Sequence, residues 1–85
     1  MYEVHATSKK TKKRLEDYIS TRGDIKDKLI RLEINPRREL GAHPLKGDLV
    51  GKWACWLGSN LRMIYSIDDS KRLILIFAVG THKIY

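Results

Sequence analysis

The residues of this chain best suited to chemistry are three histidines, an arginine that heads an apolar strand, and a knot of cations near the start. A basic domain carrying them could bind RNA passively, or it could also cut it. That reaction needs a base for the 2′-OH proton, a cation for the charged phosphorane and an acid for the departing 5′-oxygen. Histidine fits both proton roles, since its reference pKa of about 6.5 lies near working pH. Arginine fits the phosphate, because its planar fork offers paired donors and stays charged. His43 precedes Pro44 in a loop, and His82 follows Gly80-Thr81 just past an apolar run. Loops at strand ends are common seats for reactive groups. His5 lies in a short first strand with no suggestive neighbours. No pair of histidines has the helical i, i+4 zinc spacing, and no carboxylate cluster suits magnesium. Cys55 is the only cysteine, which excludes an internal disulfide and a cysteine-rich zinc site. No cofactor is expected, and a metal-free mechanism is the simpler one.

The elements that must position these groups fit one domain over residues 1–85. Seventeen basic against ten acidic side chains leave a formal charge of +7, so the partner is expected to be a polyanion. Apolar residues make up 42% of the chain, too many for a disordered basic tail. No apolar run is long enough for a membrane span, and charged residues from Glu3 to Arg14 speak against a signal peptide. The expected location is the cytoplasm.

Residues 2–7 read as a strand and residues 8–35 as two helices. Ser8 is a good N-cap, and at about 100° per residue Thr11, Leu15, Tyr18 and Ile19 share one side of the first helix. Gly23 stops it and Asp24 caps the second, whose apolar stripe is Ile25, Leu29 and Leu32, widened by Ile30 and Ile34. Residues 37–47 form a loop. Strands are expected over residues 49–57, 61–67 and 73–79, the last apolar on both faces and therefore covered on both. The order β-α-α-β-β-β gives an α+β sandwich, with the helical hairpin on one face of a mainly antiparallel four-stranded sheet. If Leu61, Met63 and Tyr65 face the helices, Arg62 faces the other way.

Several blocks, in this order and spacing, resemble the RelE/ParE superfamily of toxin–antitoxin toxins, nearest the YafQ-like RelE branch. They are His43-Pro44-Leu45-Lys46-Gly47, Leu49-Val50-Gly51, Arg62-Met63-Ile64-Tyr65 and Gly80-Thr81-His82-Lys83-Ile84-Tyr85. The resemblance covers the whole chain and implies the RelE-like fold. It implies a ribosome-dependent mRNA endonuclease, an mRNA interferase that inhibits translation, neutralised by a cognate antitoxin. Residue by residue, His43 matches the histidine of the HPL motif and His82 the C-terminal histidine. Arg62 matches the phosphate-binding arginine, and Tyr85 resembles the terminal aromatic. Lys46, in the motif loop, supplies another phosphate contact. There are departures. The RelE-type lysines fall on Trp53 and Cys55, the second YafQ-like histidine on Trp56 and its aspartate on Asn60. The tail between His82 and Tyr85 is one residue shorter than the commonest pattern. Two alternatives stay open: a ParE-like, non-enzymatic inhibitor of DNA gyrase, and an inactive RNA-binding relic. His43 and His82 together argue against the first.

The remaining features have an ordinary reading beside the sharper one. Lys9, Lys10, Lys13 and Arg14 could be a solvated helix face, yet with Lys12 they oppose the helix dipole and one another. Ribosomal RNA or an acidic antitoxin would offset that cost. Trp53 and Trp56 have opposite parity, so only one faces the helices; the other could stack on a base, pack in the core or meet the antitoxin. Cys55 is expected in the core and His5 is expected to be structural.

Overall fold

The computed structural model describes residues 1–58 and 60–81. Strand β1 (Glu3–Ala6) leads into helix α1 (Lys9–Thr21) and helix α2 (Asp24–Ile34). A 3₁₀ turn (Glu39–Gly41) precedes a two-residue strand β2 (His43–Pro44), and a second such turn spans Gly47–Leu49. Strands β3 (Trp53–Trp56), β4 (Arg62–Asp68) and β5 (Leu73–Gly80) complete the order. The sheet runs β1-β5-β4-β3-β2, antiparallel except for β1 beside β5. The α+β architecture with a helical hairpin on one face is the expected one. The sheet has five strands rather than four, because His43 and Pro44 pair with Ala54 and Trp53 at the edge of what reads as a loop.

Ser8 caps α1, its hydroxyl accepting the Thr11 N–H at 3.1 Å. Thr11 then donates to the Phe77 carbonyl at 3.2 Å, tying α1 to β5. Thr11 and Leu15 are buried and Tyr18 and Ile19 pack against the core, so the inner face of α1 is as expected. In α2 the cap differs. Gly23 takes the N-cap position, and Asp24 is the first helical residue, its carboxylate on Lys28 at 3.0 Å. That ion pair and the neighbouring backbone hold Asp24 below the usual carboxylate range. Ile25, Leu29 and Leu32 are buried, but Ile30 and Ile34 stand on the outer flank, Ile34 64% exposed. The hairpin's two-layer packing leaves room for a stripe only one side chain wide.

The core lies between the hairpin and one sheet face, built on Cys55, Leu57, Leu61, Met63, Tyr65, Ile74, Ile76 and Val79 with the helical leucines and Ile25. Burial pushes the Cys55 thiol up to about 12, so it is an inert packing group as expected. Burial likewise raises Tyr65, whose hydroxyl donates to the Pro36 carbonyl at 2.6 Å. The expected strand over residues 49–57 starts only at Trp53, since Gly47 and Gly51 take positive φ of 66° and 91° and curl the chain first. The double cover expected of β5 is only partial: on its outer side Leu73 and Leu75 are half-buried and Phe77 is 39% exposed. Ile64 pairs with Ala78 and Tyr65 with Ile76, leaving Phe77 as the extra residue of a bulge.

One polar latch joins three segments far apart in sequence. Arg37 grips Asp69 with two bonds of 3.0 and 2.7 Å, and the Tyr2 hydroxyl donates to the same carboxylate. The guanidinium and then the phenol hold Asp69 down to about 2. Its folded value lies below its unfolded one, so its contribution is present above about pH 4 and fades as pH falls toward 2. Thermal melts across this window should show a steeper acid decline for wild type than for Asp69→Asn. Parallel declines would remove Asp69 from that role.

Candidate functional site

The sheet face turned away from the helices collects the chemistry, although Ala54 and Ile64 on it are themselves buried, 1% and 3% exposed. Strand alternation sends Met63 and Tyr65 to the core and Arg62 and Ile64 outward. The same alternation puts Trp53 against the core and Trp56 outside. The registers run Trp56–Arg62–Gly80 in one row and His43–Ala54–Ile64–Ala78 in the next. His43 and Arg62 are thus two strands and one row apart, roughly 12 Å between backbones, with Trp56 between them. Sequence reasoning placed His43 and Arg62 in one site; the register brings both to one face.

Arg62 is half-buried, its guanidinium 4.1 Å from the centroid of the Trp56 ring. The edge of that ring meets Gly41: a Cβ there would stand 3.1 Å from Trp56 Cδ1. Gly41 has φ of 67° and follows Leu40 at 59°, two successive left-handed residues that turn the chain sharply into β2. His43 Nδ1 lies 3.0 Å from the Gly41 carbonyl. A carbonyl only accepts, so Nδ1 carries a proton, and of the two neutral tautomers this is the one with its lone pair on Nε2. Such an imidazole is set up to take a proton at Nε2.

The remaining candidates divide. His82 and Tyr85 lie outside the described residues; the strand leading to them ends at Gly80, in register with Arg62. Lys46 does not join Arg62. The Leu45 N–H to Lys52 carbonyl bond continues the β2–β3 ladder away from Trp56, and Lys46 follows it, exposed. Lys52 was not singled out from the sequence, yet its ammonium sits 4.7 Å over the Phe77 ring. Its even spacing with Ala54 and Trp56 was the available signal.

Lys9, Lys10, Lys13 and Arg14 are all exposed on the first turns of α1. Lys10 and Arg14 line a cleft of about 200 Å³ with Thr11, Phe77, Ala78 and Val79. Ala78 and Gly80 separate that cleft from the outward row of Ile64 and Arg62. The opposite end of the open face is acidic, where Glu3 and Asp68 flank Leu73 in register. His5 belongs to that end, 3.2 Å from Glu3. A polyanion is therefore favoured across the end holding Arg62 and α1. Among the described residues no group of three His, Cys, Asp or Glu could hold a metal ion. No helix among them is long and apolar enough to cross a membrane.

No protein-family model matches the chain, and no curated protein does. Solved structures do. A YoeB/ParE toxin from Agrobacterium tumefaciens is 23% identical with a TM-score of 0.74, the match covering 94% of this chain and 98% of that one. A YoeB–YefM complex from Staphylococcus aureus matches at 17% identity and TM-score 0.74, over 96% of this chain and 98% of that one. YafQ from Escherichia coli matches at 18% and 0.67, over 96% and 94%. From β1 to β5 the chain has the fold of the YoeB, YafQ and RelE/ParE toxins.

Proposed function

We propose that this chain is the toxin of a toxin–antitoxin system and a ribosome-dependent endoribonuclease that cuts mRNA. The observation that carries this reading is the sheet face away from the helices, where His43, its Nδ1 on the Gly41 carbonyl, and a strand-borne arginine share one surface beside a cationic helix. His43 Nε2 takes the proton of the 2′-OH, and the 2′-oxygen attacks phosphorus. Arg62 holds the equatorial oxygens of the phosphorane. His82, two residues beyond the strand end beside Arg62, gives a proton to the 5′-oxygen as the P–O5′ bond breaks. The products are a 2′,3′-cyclic phosphate and a free 5′-hydroxyl. The chain's own side chains supply base, cation and acid, so the proton balance closes without a metal.

The cations of α1 dock the domain on ribosomal RNA in the cytoplasm, their phosphate contacts fixing orientation rather than sequence. The ribosome holds the message in line, and orientation supplies much of the rate of such a transfer. An antitoxin is the expected protein partner. The Staphylococcus aureus relative is solved as a YoeB–YefM complex, and a domain of charge +7 suits an acidic chain.

The test is a ribosome programmed with a message whose attacked nucleotide is 2′-deoxy. Cleavage of the all-ribose message and none of the deoxy form is expected. Cutting of both sinks the mechanism. DNA damage with intact mRNA on expression in cells would instead favour gyrase as the target.

A further inference from the structure

We infer that Trp56 is the positioning residue for Arg62, a shelf that fixes the guanidinium plane over the open face. This rests on the proposed role of Arg62 in holding phosphate. Trp56 and Arg62 are direct cross-strand partners, the last residue of β3 against the first of β4. Their Cβ atoms are therefore only about 5 Å apart, and the 4.1 Å stack follows from the register.

Stacking uses the face of a guanidinium and engages none of its in-plane N–H donors. The indole can thus hold the plane without itself occupying a donor. An arginine on a flexible stem loses rotamer freedom each time it grips a ligand. Held on the indole, it has lost much of that freedom on folding, so less is lost on binding. The half-buried setting strengthens the cation–ring attraction, which grows as water leaves the pair.

The shelf is itself braced. Gly41 meets the ring edge so closely that a methyl group would have to displace it. The carbonyl of the same glycine takes the His43 Nδ1 proton. One left-handed residue thus sets both the indole under the arginine and the tautomer of the histidine. Trp56 is 36% exposed, unusual for a tryptophan with no ligand to meet, and it is not part of the core. The base-stacking role open to it from sequence alone is replaced by a different one: the ring carries the arginine.

The test is a double-mutant cycle read in two assays. One is cleavage of a ribosome-bound message. The other is anisotropy of a labelled single-stranded RNA that is 2′-deoxy at the cut and cannot be cleaved. Trp56→Leu is expected to lower kcat/KM and RNA affinity by about tenfold, and Trp56→Tyr to restore both to within about threefold. In an Arg62→Ala background, Trp56→Leu should change neither by more than about twofold. The Arg62 Nε–H resonance should carry an upfield ring-current shift in wild type and Trp56→Tyr, lost in Trp56→Leu. An equal loss with and without Arg62 would overturn the inference, as would wild-type affinity in Trp56→Leu. If wild type cuts no message, the nuclease reading fails alone, and the anisotropy cycle still decides the shelf.

Discussion

Arg62→Ala is expected to lower message cleavage by a factor of about 10²–10³, the usual cost of removing one donor aimed at developing charge. The reason is geometric. Arg62 opens β4 on the face away from the core, in register with Trp56 on one side and Gly80 on the other. No other arginine lies in that row, and the α1 cations stand beyond β5. Arg62→Lys keeps the charge but replaces the fork by a point donor, so it should fall between wild type and alanine. Cleavage kinetics with matched melting curves check this. An alanine variant that stays folded and cuts at the wild-type rate removes Arg62 from the mechanism.

His43→Gln is expected to cost about 10²–10⁴ in kcat, the range for losing a positioned proton-transfer group. On the proposed mechanism His43 acts through Nε2, with its Nδ1 proton toward the Gly41 carbonyl. Glutamine can still donate to the Gly41 carbonyl but has no ring lone pair to take a proton, so cleavage should fall while RNA affinity holds. His43 is exposed on a two-residue edge strand, so the fold should survive. A folded His43→Gln variant that cuts at the wild-type rate would remove His43 from the proton transfer.

The elements that were legible in the sequence are those whose burial is one-sided. Leu15 on α1, Ile25 and Leu29 on α2, and Met63 with Tyr65 on β4 each repeat at the period of their element, and each is buried. The same parity sent Arg62 and Trp56 outward. Three features were not legible, each for a physical reason. The edge strand His43–Pro44 is two residues long, too short to show alternation. The exposure of Ile30 and Ile34 depends on how wide a groove the sheet offers α2, a property of packing rather than of the helix. The open side of β5 reads as buried because Leu73, Leu75 and Phe77 are apolar whether or not anything covers them. At the site, the separation of Lys46 from Arg62 follows from the direction of the β2–β3 ladder. Motif order along a chain does not carry that direction.

The parallel pairing of β1 with β5 has a consequence for how the molecule comes into being. Glu3 to Ala6 find their strand partners in Leu73 to Ile76, 70 positions further along the chain. Helix α1 leans on that strand as well, through Thr11 and the Phe77 carbonyl. Pairings so distant along the chain form late and slowly, because a long loop must close before any contact offsets its entropy. An emerging chain would carry the hairpin and the loop with β1 unpartnered, and Arg62 would lack the strand beside it. The geometry around Arg62 is therefore complete only once β5 has joined the sheet beside β4.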